Sequence, residues 1–206
     1  MTVQPPAAGE GPTRRARRER ATSETQIVVE LNLDGGEVAI DTGIPFFDHM
    51  LDQVGRHGHL GLVLKAQGDL EIDAHHTVED AGIALGEALA EALGDKRGIR
   101  RYGHAIVPME EALARVALDI SGRPLLSYRA EIPADQIGQY DVGLTQEFLM
   151  ALSRSAGLTL HVSLEEGRDP HHCVEAIFKA LARALSDAVS IDPRARGDIP
   201  STKGTL

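Results

Sequence analysis

Two stretches of this chain place the same unusual set of side chains at the start of an apolar, helically spaced run: DAHHTVEDAGIALGEAL at 73–89 and DPHHCVEAIFKALARAL at 169–185. In each, two adjacent histidines are followed, three positions after the second, by a glutamate. On a helix, residues i and i+3 or i+4 share a face, whereas neighbours diverge by about 100°. Glu79 therefore converges with His75 or His76, and Glu175 with His171 or His172, but two adjacent imidazoles do not readily grip one ion. Such geometry suits a pair of metal centres, each taking one imidazole from each copy. Neutral imidazoles and carboxylates make a mixed nitrogen and oxygen set that fits Mn, Fe or Zn, and without a recurring thiolate a structural zinc knot is disfavoured. A single copy would read as a solvated first turn with its carboxylate favoured by the helix dipole; recurrence at matching places is what points to ligands.

A third imidazole belongs to this set. His49, in FFDHML, lies on an earlier helical stretch, 26 residues before His75, and stepping back 24 residues from His171 lands on Glu147 in the matching stretch of the second half. The duplication thus pairs His49 with Glu147, and a glutamate can serve where a histidine ligand would otherwise stand. His57, His59, His104 and His161 have no such company and read as surface or strand-packing residues.

The elements that must hold these groups follow from periodicity. QIVVELNL alternates through Ile27, Val29, Leu31 and Leu33, and the GG after it suggests a hairpin into EVAID. IPFFDHMLDQVGRHG has Pro45 at a first helical turn and Gly58 near its end, LGLVLKAQG alternates again, and the first His-His helix follows. After the connector GDKRGIRRYG at 94–103, ARVALDIS and LLSYRAEI read as two strands turned by GRP, TQEFLMALSRSAG as a helix, LTLHVSL as a strand, and the second His-His helix closes the half. Two copies of strand-strand-helix-strand-helix predict an internally duplicated α+β protein with pseudo-twofold symmetry, its sheets covered by helices. The expected division is a disordered tail at 1–13, a first half at 14–103 and a second half at 104–206.

Composition narrows the function classes. With four Phe, three Tyr and no Trp, the core must be aliphatic. A single Cys173 excludes an intramolecular disulfide, and with no apolar signal segment or long apolar run the sequence favours a cytoplasmic protein without a membrane association. The formal net charge of -10 argues against nucleic acid as a partner. The exception, RRARRER at 14–20, reads as a solvated arm. Both ends read as complete.

With FFDHML, HHTVEDAGIALG, DISGRP, HHCVEAIFKALARAL and PSTKG in this order, the chain resembles the imidazoleglycerol-phosphate dehydratase family of histidine biosynthesis, from about Arg17 to Leu206. RATSET at 20–25 also looks like that family's first strand. The resemblance implies a hydro-lyase that converts D-erythro-imidazole-glycerol phosphate to imidazole-acetol phosphate. It further implies two Mn(II) ions per subunit and a homo-oligomeric 24-subunit shell whose sites form between subunits. Where Glu147 stands the family usually has histidine, so one metal ligand is here a carboxylate. By the same resemblance Glu24 and Glu175 are the catalytic candidates, Glu24 touching substrate and Glu175 a ligand whose role extends to proton transfer, with the assignment of acid and base open. Gln53, Arg101, Arg123, Lys179, Ser201 and Lys203 are implied to bind substrate, the cations and hydroxyl suiting a phosphate dianion. From the residues alone, the RR at 100–101 and the STKG at 201–204 read as exposed loop.

The implied chemistry explains the residue types. The hydrogen to be lost sits on carbon beside an imidazole rather than a carbonyl, so a base alone does not suffice; ions on both ring nitrogens would hold the ring as an imidazolate able to expel the hydroxyl. A dimetal phosphatase and a non-catalytic metal store remain as rival readings of the same ligands. Incubation with Mn(II) and imidazole-glycerol phosphate separates them by the product formed.

Overall fold

The computed structural model describes residues 14–195 and 197–206; the expected tail at 1–13 lies outside the described residues. The first half runs β1 (Arg15–Ala21), β2 (Thr25–Asn32), β3 (Val38–Asp41), α1 (Pro45–Gly58), β4 (Gly61–Gly68) and α2 (His75–Leu93). The second runs β5 (Tyr102–Met109), β6 (Ala112–Asp119), β7 (Leu125–Arg129), a small ribbon of β8 (Gln136–Ile137) and β9 (Tyr140–Asp141), α3 (Gly143–Ala156), β10 (Thr159–Glu166) and α4 (Pro170–Val189). The sheet orders β1-β2-β4-β3 and β5-β6-β10-β7 are the same topology twice, so the duplicated α+β architecture holds, with one more strand in each of these sheets than periodicity indicated and the β8–β9 ribbon added in the second half.

Three local expectations are corrected. The run at 14–20 is not a free arm: Arg15–Ala21 pairs antiparallel with β2 from Arg15↔Asn32 to Ala21↔Gln26 as an edge strand, burying Ala16 while most of its charged side chains stay in solvent. The GG after β2 does not make a hairpin. Gly35 and Gly36, at φ of 93° and 149°, instead carry the chain past Gly61 so that β3 lies beyond β4 and parallel to it. Likewise β6 and β7 do not pair; β10 inserts between them, antiparallel to β6 and parallel to β7. A strand-helix-strand crossover produces a parallel pair, and alternation alone carries no information about which strand is the neighbour. Residues 102–109, of which 102 and 103 read as the end of the connector, form β5, an edge strand exposed at every second residue.

One face of each sheet is apolar and lies under helices. Ile27, Val29 and Leu31 of β2, and Ala112, Ala114, Val116 and Leu118 of β6, are buried. Helix α2 packs on β1, β2 and β4 and against α3; α4 packs on β5, β6 and β10 and against α1. Each half's helices therefore close on those of the other half, and the two sheets lie outside them. The core is aliphatic, with Phe47, Phe148 and Phe178 its only buried phenylalanines among the described residues. No described helix is long and apolar enough to cross a membrane.

The α2–α3 contact depends on two glycines one turn apart. A Cβ on Gly82 would lie 2.8 Å from the Phe148 carbonyl oxygen, and one on Gly86 would lie 2.9 Å from that of Leu152. Alanine at a helix interior normally gains up to ~1 kcal/mol over glycine. Here Gly82→Ala and Gly86→Ala are each expected to lose about 1–3 kcal/mol by overpacking, and a thermal midpoint at or above the parent's would contradict this.

Candidate active site

Both His-His motifs open a helix in the same way. The Asp73 carboxylate accepts the His75 backbone N–H at 2.7 Å, and that of Asp169 accepts the His171 N–H at 2.8 Å. Each aspartate thus satisfies an orphan donor of the first turn and sets the histidines on it.

Because α1 packs on α4, His49 meets the second motif. The ligand atoms of His49, His171 and Glu175 all lie within 4.8 Å of one another. Glu175 Oε2 is 3.0 Å from His171 Nε2 and 3.5 Å from His49 Nε2, and its other oxygen accepts from Lys179 Nζ at 2.7 Å. The glutamate is buried. Burial alone would raise its pKa, but the Lys179 ammonium and the two imidazoles outweigh it and hold the carboxyl below its ordinary value. Phe46 packs edge-on against His171 at 5.1 Å and limits the ring's rotation. Gln53, buried on α1, places its side-chain amide 3.3 Å from His49 Nδ1. Two imidazole nitrogens and an ionised carboxylate converging on one point fit a divalent ion of the Mn, Fe or Zn type.

The other named ligands sit apart from this cluster. His75 Nε2 is 3.9 Å from Glu79 Oε2, both partly exposed, beside a cavity that Pro45, Leu70, Gln139 and Leu144 also line. His76 Nδ1 lies 3.0 Å from Asp69 Oδ2 and 3.8 Å from Glu24 Oε2; the Asp69 hydrogen bond, above all, raises the His76 pKa. His172 Nδ1 lies 2.8 Å from Glu111 Oε2. Glu147 is the fifth residue of α3 as His49 is of α1, and α3 packs on α2 as α1 packs on α4. It is half-buried and forms no side-chain hydrogen bond or ion pair among the described residues. Within one chain, then, the two His-His copies do not share a centre.

Asp69 and Glu111 escaped the sequence reading. Glu111 accepts from the Asp169 and Arg168 N–H groups and from His172, which together push its pKa down to about 2. It stands in the β5–β6 turn, the counterpart of the β1–β2 turn that carries Glu24. Recognising β5 would have exposed that correspondence.

The residues implied to hold phosphate gather elsewhere. Arg101 forms a forked pair with Asp119 at 2.6 and 3.0 Å and donates to the Pro200 carbonyl at 2.8 Å, tying down the segment that carries Ser201 and Lys203. Arg123 is exposed on the neighbouring turn, where Leu206 lies against Gly122. Lys96, lying close to the same glycine, adds a cation that no sequence signal singled out. Lys179 departs from this group and belongs with Glu175. The Arg101 N–H bonds the Ala188 carbonyl, at the far end of α4 from His171. Those 17 residues of helix amount to about 26 Å at ~1.5 Å per residue.

Fold and site together define a class: internally duplicated α+β enzymes in which imidazole and carboxylate groups are gathered where they could hold a metal ion. The chain matches the family model described as imidazoleglycerol-phosphate dehydratase over residues 42–185. It is 56% identical over 207 residues to the imidazoleglycerol-phosphate dehydratase of Anaeromyxobacter sp. (strain K), covering 100% of this chain and 98% of that one. It therefore belongs to the imidazoleglycerol-phosphate dehydratase family and is a hydro-lyase of histidine biosynthesis. The corresponding protein of Symbiobacterium thermophilum is 58% identical over 188 residues, 91% of this chain and 90% of that one. Two solved structures of the family share the fold. That from Staphylococcus aureus has a TM-score of 0.80 at 40% identity, covering 86% of this chain and 99% of that one. That from Pyrococcus furiosus has a TM-score of 0.79 at 36% identity, covering 92% and 100%.

Proposed function

We infer that the chain dehydrates D-erythro-imidazole-glycerol phosphate to imidazole-acetol phosphate in the cytoplasm, using two Mn(II) ions per subunit at sites shared between subunits of a 24-subunit shell. The observation that carries this reading is the convergence of His49, His171 and Glu175 about 26 Å along α4 from the Arg101 group. A substrate of this size cannot reach both within one chain. A second subunit that brings its Arg101, Arg123, Ser201 and Lys203 to the histidines of the first resolves the separation. It also offers a way for His75, His76 and Glu79 to complete centres that one chain leaves apart. The halves at 14–103 and 104–206 then act as one catalytic unit.

When bound, the ions withdraw electron density from the substrate's imidazole ring. The chain's own residues divide the remaining work. Glu24, 49% exposed in the β1–β2 turn, is free to meet the glycerol carbons and exchanges the proton there. Glu175 is buried and kept ionised by Lys179, which suits a ligand better than a proton carrier. Gln53 orients His49, and the cations at the other end of α4 grip the phosphate.

The test is incubation of the Mn(II)-loaded protein with imidazole-glycerol phosphate. Imidazole-acetol phosphate is the expected product, and release of free phosphate without ketone would replace this reading with the phosphatase one. Lys203→Ala removes a charge-assisted contact of about 1.5–3 kcal/mol remote from the ions. It should raise KM roughly 10- to 100-fold with metal content unchanged, and an unaltered KM would return the 201–204 segment to plain loop.

A further inference from the structure

The two histidines of the second motif differ in which ring nitrogen they spend. His171 turns Nε2 to Glu175, whereas His172 engages Glu111 through Nδ1, and its Nε2 forms no hydrogen bond among the described residues. Glu111 is itself fixed by two backbone donors: its Oε1 accepts from Asp169 at 2.7 Å and from Arg168 at 3.0 Å, leaving Oε2 for the ring. A carboxylate accepts only, so the proton between them resides on His172 Nδ1, and in the neutral form that can bind a metal the lone pair lies on Nε2. We propose that Glu111 is a positioning residue: it selects the Nδ1–H tautomer of His172 and aims Nε2 outward as a metal ligand, while tying the β5–β6 turn to the start of α4. This rests on the metal reading given above.

The first half reaches the same end by another route. There Asp69, at the end of β4, engages His76 Nδ1, and Glu24 in the corresponding turn stays 3.8 Å away and half exposed. One turn glutamate is committed to orientation, while the other is released to face substrate.

Glu111→Gln separates the roles. Its amide oxygen continues to accept the Arg168 and Asp169 N–H groups, so the NH2 group faces the imidazole. That donor demands an acceptor at Nδ1, which moves the ring proton to Nε2 and blocks the ligand atom. In the full-length protein, Mn(II) binding followed by the electron paramagnetic resonance of free Mn(II) should show one of two sites per subunit weakened about 10- to 100-fold. The thermal midpoint of the metal-free protein should stay near the parent's, whereas Glu111→Ala should lower both. Parent-like Mn(II) binding by Glu111→Gln, or a weakening matched by an equal loss of stability without metal, would overturn the tautomer role and leave Glu111 a cap. A parent that takes up no Mn(II) would overturn the metal reading itself, and this proposal with it.

Discussion

Glu175→Gln is expected to lose the metal centre proposed at His49 and His171, and nearly all dehydratase activity with it. The carboxylate, itself buried, is the one anion among two partly exposed imidazoles and an ammonium, and it contacts all three. An amide of the same shape keeps the packing and removes the charge. The loss in Mn(II) affinity should exceed the ~10- to 100-fold typical of an outer partner, because the proposed centre loses one of its own donors. The variant also leaves Lys179 without its counter-ion. Removing one partner of a buried pair costs about 3–5 kcal/mol, so a fall in stability accompanies the fall in activity. Glu175→Gln/Lys179→Met distinguishes the two effects: the second change removes the stranded charge and should recover much of the stability without recovering metal. A double variant that regains Mn(II) and turnover would show that Glu175 serves only to balance Lys179.

Glu147 gives the second large effect. If it stands to α2 as His49 stands to α4, Glu147→Gln should fold normally yet lose metal or activity heavily. Glu147→His should retain much of both, since imidazole is an acceptable donor to the same class of ion. In a metal-loaded crystal structure its carboxylate should lie about 2.0–2.2 Å from one ion. Equal positions in two 14-residue helices, each packed on a His-His helix, argue for this. A Gln variant that binds two ions per subunit and turns over like the parent would make Glu147 an ordinary half-buried helix residue.

Much of this protein is legible in the order of its residues. Alternation at period two locates β2, β4, β6 and β10, and helical spacing locates all four helices, because those periods reflect which side chains face a core wherever that core lies. The two His-His-x-x-Glu motifs and the aspartates before them are equally local: one turn of helix brings His171 to Glu175, and an aspartate two residues upstream caps it. The duplication is visible too, since it repeats a local pattern. Pairing is not local. That β4 separates β2 from β3, and β10 separates β6 from β7, follows from crossovers that alternation cannot encode. Strand β5 was hidden because its inward positions begin with the small Gly103 and Ala105 while Tyr102 and Ile106 stand on its exposed side, so it lacks the apolar contrast that marks its neighbours. With it was hidden Glu111, whose partner is 61 residues away. The meeting of His49 with Glu175, and the placing of Arg101 at the opposite end of α4 from His171, exist only once elements of the two halves pack on each other. Side chains far apart in the chain share a site through long-range packing, and that packing is decided by the whole core at once.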